Sequence, residues 1–361
     1  MRILFITNGI GRFDGSSKQL ALIINGLAHR NHACFLYIFN NYKCEQLLEQ
    51  NVTYIPEPNP CKNKLKQWSI IPFRIRKIVK KYQIDIVIGW RTNGGCYAVL
   101  STWGLPAKSI LCERSDPYME NPGFIHKIVG KIAGMASGGI FQTEKAQQFY
   151  TRLSSKAIIL PNPYTPKSTN GQVLPWKNRN KTIVYFGRLD IWQKRLDLML
   201  KAFAIIHEKR PDYRLIIYGS GKDREKLLEI ANNLSISDCF VISEPVVDVI
   251  NKMKQAKVML LCSDFEGIPN VVLDALDAGL PVVTTDCSPG GMHILVKNGE
   301  NGYIVPFRDF QGLAQKTLEL LDNEEIAETF ILNGKKKIRD FTPQRIIDQW
   351  DIYLKKINQS T

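Results

Sequence analysis

Two carboxylates eight residues apart, Glu266 and Asp274, stand in the stretch Ser263-Asp-Phe-Glu-Gly-Ile-Pro-Asn-Val-Val-Leu-Asp-Ala-Leu-Asp-Ala-Gly-Leu-Pro-Val-Val. The pattern reads as a strand ending near Leu261, a Gly/Pro loop, and a helix beginning near Asn270. Backbone N–H groups at a helix start carry partial positive charge and suit a phosphate or a sugar hydroxyl. A loop carboxylate and a carboxylate one turn into the helix suit a ligand rich in hydroxyls. The same spacing also fits a capped helix carrying two solvated acids. A second segment, Gly187-Arg-Leu-Asp-Ile-Trp-Gln-Lys-Arg-Leu-Asp, follows another candidate strand directly. Arg188 and Lys194 then hang at a strand's carboxyl end, where two fixed cations suit a diphosphate leaving group; ordinary surface basic residues give the same spacing. Tyr218-Gly-Ser-Gly-Lys adds a strand-to-helix glycine turn at Gly219, a feature common to many α/β folds.

The elements needed to position these residues are legible as apolar β-rich runs alternating with helical periods, the pattern of a parallel sheet covered on both faces. Ile3–Thr7, Cys34–Phe39, Ile84–Gly89, Ser109–Cys112, Gly139–Gln142 and Ala157–Leu160 read as strands of one domain. A Gly-rich loop from Gly9 to Gly15 and a helix over Gln19–His29 follow the first of them. Pro161, Pro163, Pro166 and Pro175 mark a linker over 161–180. A second α/β series follows, with strands at Thr182–Phe186, Arg214–Tyr218, Phe240–Ile242, Val258–Leu261 and Val282–Thr284. The expected division is 1–165 and 166–342, each Rossmann-like, with ligands settling in a cleft at the carboxyl ends of the two sheets.

Composition sets the bounds. The 361 residues are 44% hydrophobic and 23% charged, which excludes disordered and collagen-like chains. No apolar run approaches the ~20 residues that span a bilayer. Met1 to Thr7 reads as a strand rather than a signal sequence, so a cytoplasmic location is expected. The eight cysteines include no C-x-x-C pair and read as reduced, small apolar residues; no metal cage is expected.

Charge is lopsided. Of a net +14, residues 1–165 carry 21 Lys and Arg against 9 Asp and Glu, whereas 166–361 carry 27 against 25. Between 62 and 81 stand Lys62, Lys64, Lys66, Arg74, Arg76, Lys77, Lys80 and Lys81 without one acid. Pro72 fits a first helical position, and Ile71, Ile75, Ile78, Val79 and Tyr82 share one helix face. The apolar face is expected to pack on the sheet. The cations, with Trp68, Ile70 and Phe73, suit an anionic membrane surface or a polyprenyl-diphosphate acceptor.

Taken together the segments resemble the retaining nucleotide-sugar glycosyltransferases of family 4, which have the two-Rossmann GT-B fold. The family's Glu, seven residues, Glu pattern falls on Glu266 and Asp274, and its Gly-Arg-Leu then Lys-Gly pattern on Gly187, Arg188, Leu189 and Lys194. Asn298-Gly-Glu-Asn-Gly-Tyr-Ile-Val-Pro, Gly279-Leu-Pro-Val-Val and Arg2-Ile-Leu-Phe-Ile-Thr-Asn also match. The resemblance spans nearly the whole chain and is sharp in the second domain, loose in the first. It implies α/β architecture with two parallel sheets facing a cleft. Arg188 and Lys194 would hold the donor diphosphate and Glu266 the transferred sugar. The backbone of Gly267, Ile268, Pro269, Asn270 and Val271 would line its hydroxyls and phosphate, and Asp274 would bind the ribose. Gly11 and Gly15 would approach a phosphate from the first domain. The helix within 343–361 would cross back to the first domain. Four positions depart from the pattern or specialise it. Asp274 replaces a Glu, and Arg195 replaces a Gly. His293 stands where an acid is usual and is expected to pack. Cys112-Glu-Arg-Ser-Asp-Pro resembles members that build polysaccharide or lipid-linked glycans, so Glu113 or Arg114 either line the acceptor side or form a buried ion pair.

The implied activity is transfer of a hexose or N-acetylhexosamine from a nucleotide diphosphate sugar, UDP-linked by family habit, to a glycan or polyprenyl-diphosphate-linked hydroxyl at the inner membrane face, with configuration retained. No resident cofactor is implied. The absence of an Asp-x-Asp triplet fits stabilisation by protein cations. Two rivals stand beside it: a nucleotide-sugar epimerase or sugar phosphorylase on the same architecture, and a non-catalytic basic module binding membrane or nucleic acid. The aromatics near the basic run are not interleaved for base stacking, which argues against nucleic acid.

Overall fold

The computed structural model describes residues 1–9, 15–39, 48–57, 64–119, 123–168 and 174–360, with 64–66 described as backbone alone. Gly11, Lys62 and most of the Gly9–Gly15 loop lie outside the described residues, as do the side chains of Lys64 and Lys66. The chain divides into two compact units, Met1–Pro163 together with Phe341–Thr361, and Tyr164–Asp340.

The first unit contains β1 (Arg2–Thr7), α1 (Gly15–Ala28), β2 (Ala33–Ile38), β3 (Thr53–Pro56), α2 (Lys64–Tyr82), β4 (Ile86–Trp90), α3 (Arg91–Thr102), β5 (Lys108–Cys112), α4 (Phe124–Ala133), β6 (Gly138–Phe141), α5 (Glu144–Phe149) and β7 (Ala157–Ile159). Its seven strands run in the order β3-β2-β1-β4-β5-β6-β7, and all their pairings are parallel. Ile3, Leu4, Phe5 and Ile6 are fully buried. Such continuous apolar runs are what a strand covered on both faces requires.

The second unit contains β8 (Thr182–Phe186), α6 (Ile191–Lys194), α7 (Leu196–Lys209), β9 (Arg214–Tyr218), α8 (Arg224–Asn233), β10 (Phe240–Ser243), α9 (Val249–Gln255), β11 (Val258–Leu261), α10 (Asn270–Ala278), β12 (Val282–Thr285), α11 (Met292–Leu295), β13 (Gly302–Val305), α12 (Phe310–Asp322) and α13 (Glu324–Lys337). The strand order is β10-β9-β8-β11-β12-β13, again parallel throughout. The final helix, α14 (Pro343–Gln359), belongs to the first unit. It buries Ile346, Ile347, Trp350, Tyr353, Leu354 and Ile357 in the core that also holds Ile3, Phe5, Leu20 and Ile24. Gly26 of α1 has no side chain because a Cβ there would lie 2.1 Å from Ile347 Cδ1.

Two expectations change. The helix over the basic segment starts at Lys64, and Pro72 lies inside it rather than at its first turn. Nor are its cations all turned to solvent. Arg74 pairs with the buried Glu57 at 2.6 Å, and Arg76 donates to the carbonyls of Ser101 and Trp103 at 3.2 and 2.6 Å, capping the end of α3. Trp68 packs edge-on against Tyr97 at 5.5 Å. Ile71, Ile75 and Val79 do face the sheet, as their spacing predicts. Lys77, Lys80, Lys81 and Phe73 are exposed. Cys34, Cys96, Cys112, Cys239, Cys262 and Cys287 are buried free thiols, and burial pushes Cys34 and Cys96 up to about 12. Among the described residues no helix is long and apolar enough to cross a membrane.

Because Trp350 is fully buried where α14 meets the sheet, Trp350→Ala is expected to lower the stability of the first unit by about 3–5 kcal/mol. Urea unfolding followed by circular dichroism checks this; a loss near zero would mean that α14 is not part of the folded core.

Candidate functional site

In the second unit the strand order reverses between β8 and β11, and loops leaving two such strands open the crevice where α/β sheets bind ligands. The segment after β8 carries Gly187 and Arg188 in its loop and Lys194 at the end of the short α6, and the loop after β11 carries Glu266. The two are joined. Lys194 Nζ pairs with Glu266 Oε1, which also accepts from Ser263 Oγ at 2.7 Å. Gln193 threads between them: its side-chain amide donates to the Phe265 carbonyl at 3.1 Å, and its own carbonyl accepts from Asp264 N–H at 2.8 Å. Arg188 Nη2 donates to Gln193 Oε1 at 2.6 Å, and its side chain stays 68% exposed. Arg188, Lys194 and Glu266 therefore occupy one network.

The local backbone explains the glycines. A Cβ on Gly219 would lie 1.9 Å from the Gly187 carbonyl oxygen, and one on Gly221 would lie 2.4 Å from the Leu189 oxygen. The turn after β9 is thus pressed against the turn after β8. Gly291 is constrained in the same way against the Gly267 carbonyl, at 1.6 Å, and Glu266 N–H donates to the Ser288 carbonyl at 2.8 Å. Asp190 caps the short α6 through Trp192 N–H and Gln193 N–H, and Asp223 accepts from Ile191 N–H at 2.7 Å. Arg195 takes φ +48°, the left-handed conformation that a glycine adopts freely. Its guanidinium donates to Asp197 at 3.0 and 2.7 Å and lies 3.6 Å from Asp264. Arg308 grips the same Asp264 with two hydrogen bonds of 2.8 and 2.5 Å. The bonds to Asp197 are the main reason the Arg195 guanidinium is held above its ordinary range.

Ile268 and Pro269 are buried, Gly267 and Asn270 half-buried, and α10 begins at Asn270 with no side-chain cap. Asp274 has different company from Glu266. It lies 2.9 Å from Tyr164 Oη, whose single proton it shares with Asp277 at 3.0 Å, and pairs with Lys167, while Asp277 one turn on also accepts from the backbone N–H groups of Lys167 and Ser168 at 2.7 and 3.0 Å. Burial, and then these two carboxylates, push the Tyr164 hydroxyl far up. His293, expected to pack, is exposed and pairs with Asp286 at 3.0 Å. Met292 and Leu295 take the inward face of that short helix.

In the first unit Glu113 and Arg114 follow β5. Glu113 is fully buried and accepts from Thr92 Oγ1 at 2.8 Å, Tyr150 Oη at 3.0 Å, and the N–H groups of Arg114 and Ser115 at 3.0 and 3.3 Å. Arg114 donates to Cys112 Sγ and the Leu160 carbonyl, with its guanidinium 5.1 and 5.4 Å from the rings of Trp90 and Trp350. Gly15 begins α1. The sequence reading missed Ser263, Gln193, Asp264 and Arg308. Ser263 was visible three residues before Glu266; nothing in the sequence couples Arg308 to Asp264.

Residues 166–337 match the family described as glycosyl transferases group 1. This segment is a glycosyl transferases group 1 domain. The group 1 domain spans almost the whole second unit, including both loops of the network. An uncharacterized glycosyltransferase of Haemophilus influenzae is 26% identical over 355 residues, covering 97% of this chain and 98% of that protein. A Campylobacter jejuni alpha-1,4-N-acetyl-D-galactosaminyltransferase, named for an undecaprenol diphosphate-linked acceptor, is 24% identical over 282 residues, covering 77% of this chain and 76% of its own. Among solved structures, Anabaena Alr3699/HepE in complex with UDP and glucose aligns with a TM-score of 0.79 at 18% identity, over 98% of this chain and 99% of that one. The fold is GT-B, and the protein is a glycosyltransferase.

Glu266 is nine-tenths buried, so losing its cation leaves a carboxylate without a charge partner. Lys194→Met is expected to cost the second unit about 3 kcal/mol of stability, and adding Glu266→Gln to recover most of it. Urea unfolding of the two single variants and the double variant measures this; additive losses would show that the pair is not coupled.

Proposed function

We propose that the protein transfers a hexose or N-acetylhexosamine from a UDP-sugar to a hydroxyl of a glycan or lipid-linked acceptor, with the anomeric configuration retained, in glycan assembly at a membrane surface. One observation carries the reading: two cations and a buried carboxylate meet on loops from the two strands that flank the reversal in strand order. Arg188 and Lys194 neutralise the diphosphate as it leaves, the step at which charge develops most strongly. Lys194 is then shared between phosphate and Glu266. Glu266 faces the sugar and stabilises positive charge at the anomeric carbon, with Ser263 fixing the carboxylate's rotamer. The backbone from Gly267 to Val271 and the start of α10 take the donor's hydroxyls and phosphate. Asp274 takes the ribose, at a length that its ties to Tyr164 and Lys167 set. Gly187 and Gly219 keep the turns close enough for the donor to lie against backbone. Glu113 and Arg114 hold the acceptor side, Glu113 as the fixed support beneath it. The exposed lysines of α2 favour an anionic surface.

Support for the donor comes from the Anabaena neighbour, whose structure holds UDP and glucose. Support for a lipid-linked acceptor comes from the name of the Campylobacter jejuni relative. The test is a panel of nucleotide sugars with a lipid-linked acceptor, with the product's anomeric configuration read by NMR. A UDP-hexose or UDP-N-acetylhexosamine is expected to be consumed. Lys194→Ala, assayed below its melting temperature, is expected to lower kcat by about 10²-fold or more, and Arg188→Ala to lower it with little change in stability. An unchanged kcat for Lys194→Ala at saturating donor would refute its role. Donor consumption without any acceptor would instead favour an epimerase or hydrolytic activity.

A further inference from the structure

From Asn121 to Thr143 the chain carries two lysines, Lys127 and Lys131, and no acid. This run contains α4, which packs Val129 and Ala133 into the core of the first unit. The side of α4 turned away from that core is not polar. Phe124 is 77% exposed, Ile125 64% and Ile128 43%, and Met135, just past the helix end, 44%. At 100° per residue Phe124, Ile125 and Ile128 fall within one arc of about 100°, which Ile132 closes toward the core, with Met135 exposed just beyond the helix end and Lys127 and Lys131 flanking the arc on one side. A surface helix of a globular protein has the reverse arrangement, with its large apolar residues inward. A contiguous exposed apolar stripe of this kind marks an interaction surface.

We infer that α4 is an interfacial membrane anchor, its Phe124–Ile125–Ile128–Met135 stripe sinking into the acyl boundary of a leaflet whose anionic headgroups are met by Lys127 and Lys131. Charge selects this occupant. An apolar stripe edged by lysines, on an acid-free segment within the strongly basic half of the chain, matches a negatively charged lipid surface. The anchor is distinct from α2, whose apolar face is already buried on the sheet and which offers lysines and Phe73 to solvent. It rests on the proposed function only for placing the chain at a lipid surface, and not for the chemistry performed there.

The test uses the full chain with phosphatidylcholine vesicles containing or lacking phosphatidylglycerol. Wild type is expected to co-float with the anionic vesicles and to be released by salt only in part, because the apolar contribution persists. Ile125→Glu with Ile128→Glu is expected to weaken binding by about tenfold or more with the melting temperature unchanged, since both positions are exposed. Phe124→Trp is expected to blue-shift on binding and to be quenched by brominated acyl chains. A Lys77→Glu, Lys80→Glu, Lys81→Glu variant separates the two surfaces. Loss of binding in that variant alone, with the α4 variant binding normally, would overturn the α4 anchor while leaving a membrane role for α2. Unquenched Trp at 124 would also overturn it. So would concentration-dependent self-association abolished by Ile125→Glu with vesicle binding intact, which would assign the stripe to a second copy of the chain. Donor turnover, measured separately, leaves this outcome unaffected.

Discussion

The candidate site depends on one desolvated charge. Glu266 lies at the carboxyl end of β11 with little solvent around it, and a carboxylate in that position needs a cation and a hydroxyl. Lys194 supplies the first and Ser263 the second. That requirement draws the short α6 onto the loop after β11, which places Gln193 between the two loops and leaves Arg188 directed to solvent. The arrangement is preorganised: a paired lysine and an exposed arginine are held in place before any anion arrives, so little ordering remains for binding to drive. It also means that Lys194 has two tasks, and an activity change on its removal carries information only beside a stability measurement.

Close backbone packing sets how tightly these loops are held. Gly219 and Gly221 let the turn after β9 press on the turn after β8, and Gly291 does the same for the loop of Gly267. Two positions in this cluster depart from that economy, Arg195 and Arg308, both non-glycine residues with positive φ. Arg195 sits in a left-handed conformation where a glycine would be free of strain, and its guanidinium is engaged by Asp197 and Asp264, the latter also gripped by Arg308. A side chain there carries a backbone penalty of about 1–3 kcal/mol, and the ion-pair cluster is the compensating gain. Asp264 is two residues before Glu266, so the cluster braces the loop that carries the carboxylate.

Much of this was legible because strands buried on both faces read as unbroken apolar runs. The strand, glycine loop and helix punctuation around Arg188 and Glu266 needed no tertiary information. Elements failed to show where burial erased their period. Helix α3 buries Thr92, Cys96, Tyr97, Val99 and Ser101 on nearly every side, so no amphipathic stripe marks it. Strand β3 is a half-exposed edge of four residues with no apolar run. Helix α4 has a strong stripe, but the stripe faces outward and so gives no sign of where the helix packs. Side-chain partners far apart in sequence, such as Arg308 with Asp264 and Tyr164 with Asp274, leave no local trace. Pro72 departs from the expectation for a physical reason of its own: proline favours the first helical turn, yet here the helix continues through it with the residue buried.

Much of the positive excess of the first unit divides by residue type, Arg152 being an exposed exception. Arg2 donates to the Tyr82 carbonyl and the Gln83 amide, Arg30 to Asp348 and the Gly26 carbonyl, Arg74 pairs with Glu57, Arg76 caps α3, and Arg114 lies near two tryptophan rings while donating to Leu160. These are structural uses of a planar fork that can satisfy several acceptors at once. Lys77, Lys80, Lys81, Lys127 and Lys131 are exposed instead, as compact, strongly hydrated charges. A count of charge over residues 1–165 therefore overstates what an outside anion meets. Among the described residues it meets exposed lysines at Lys18, Lys145 and Lys156 as well as those of α2 and α4, and on α4 the lysines border a run of exposed apolar side chains.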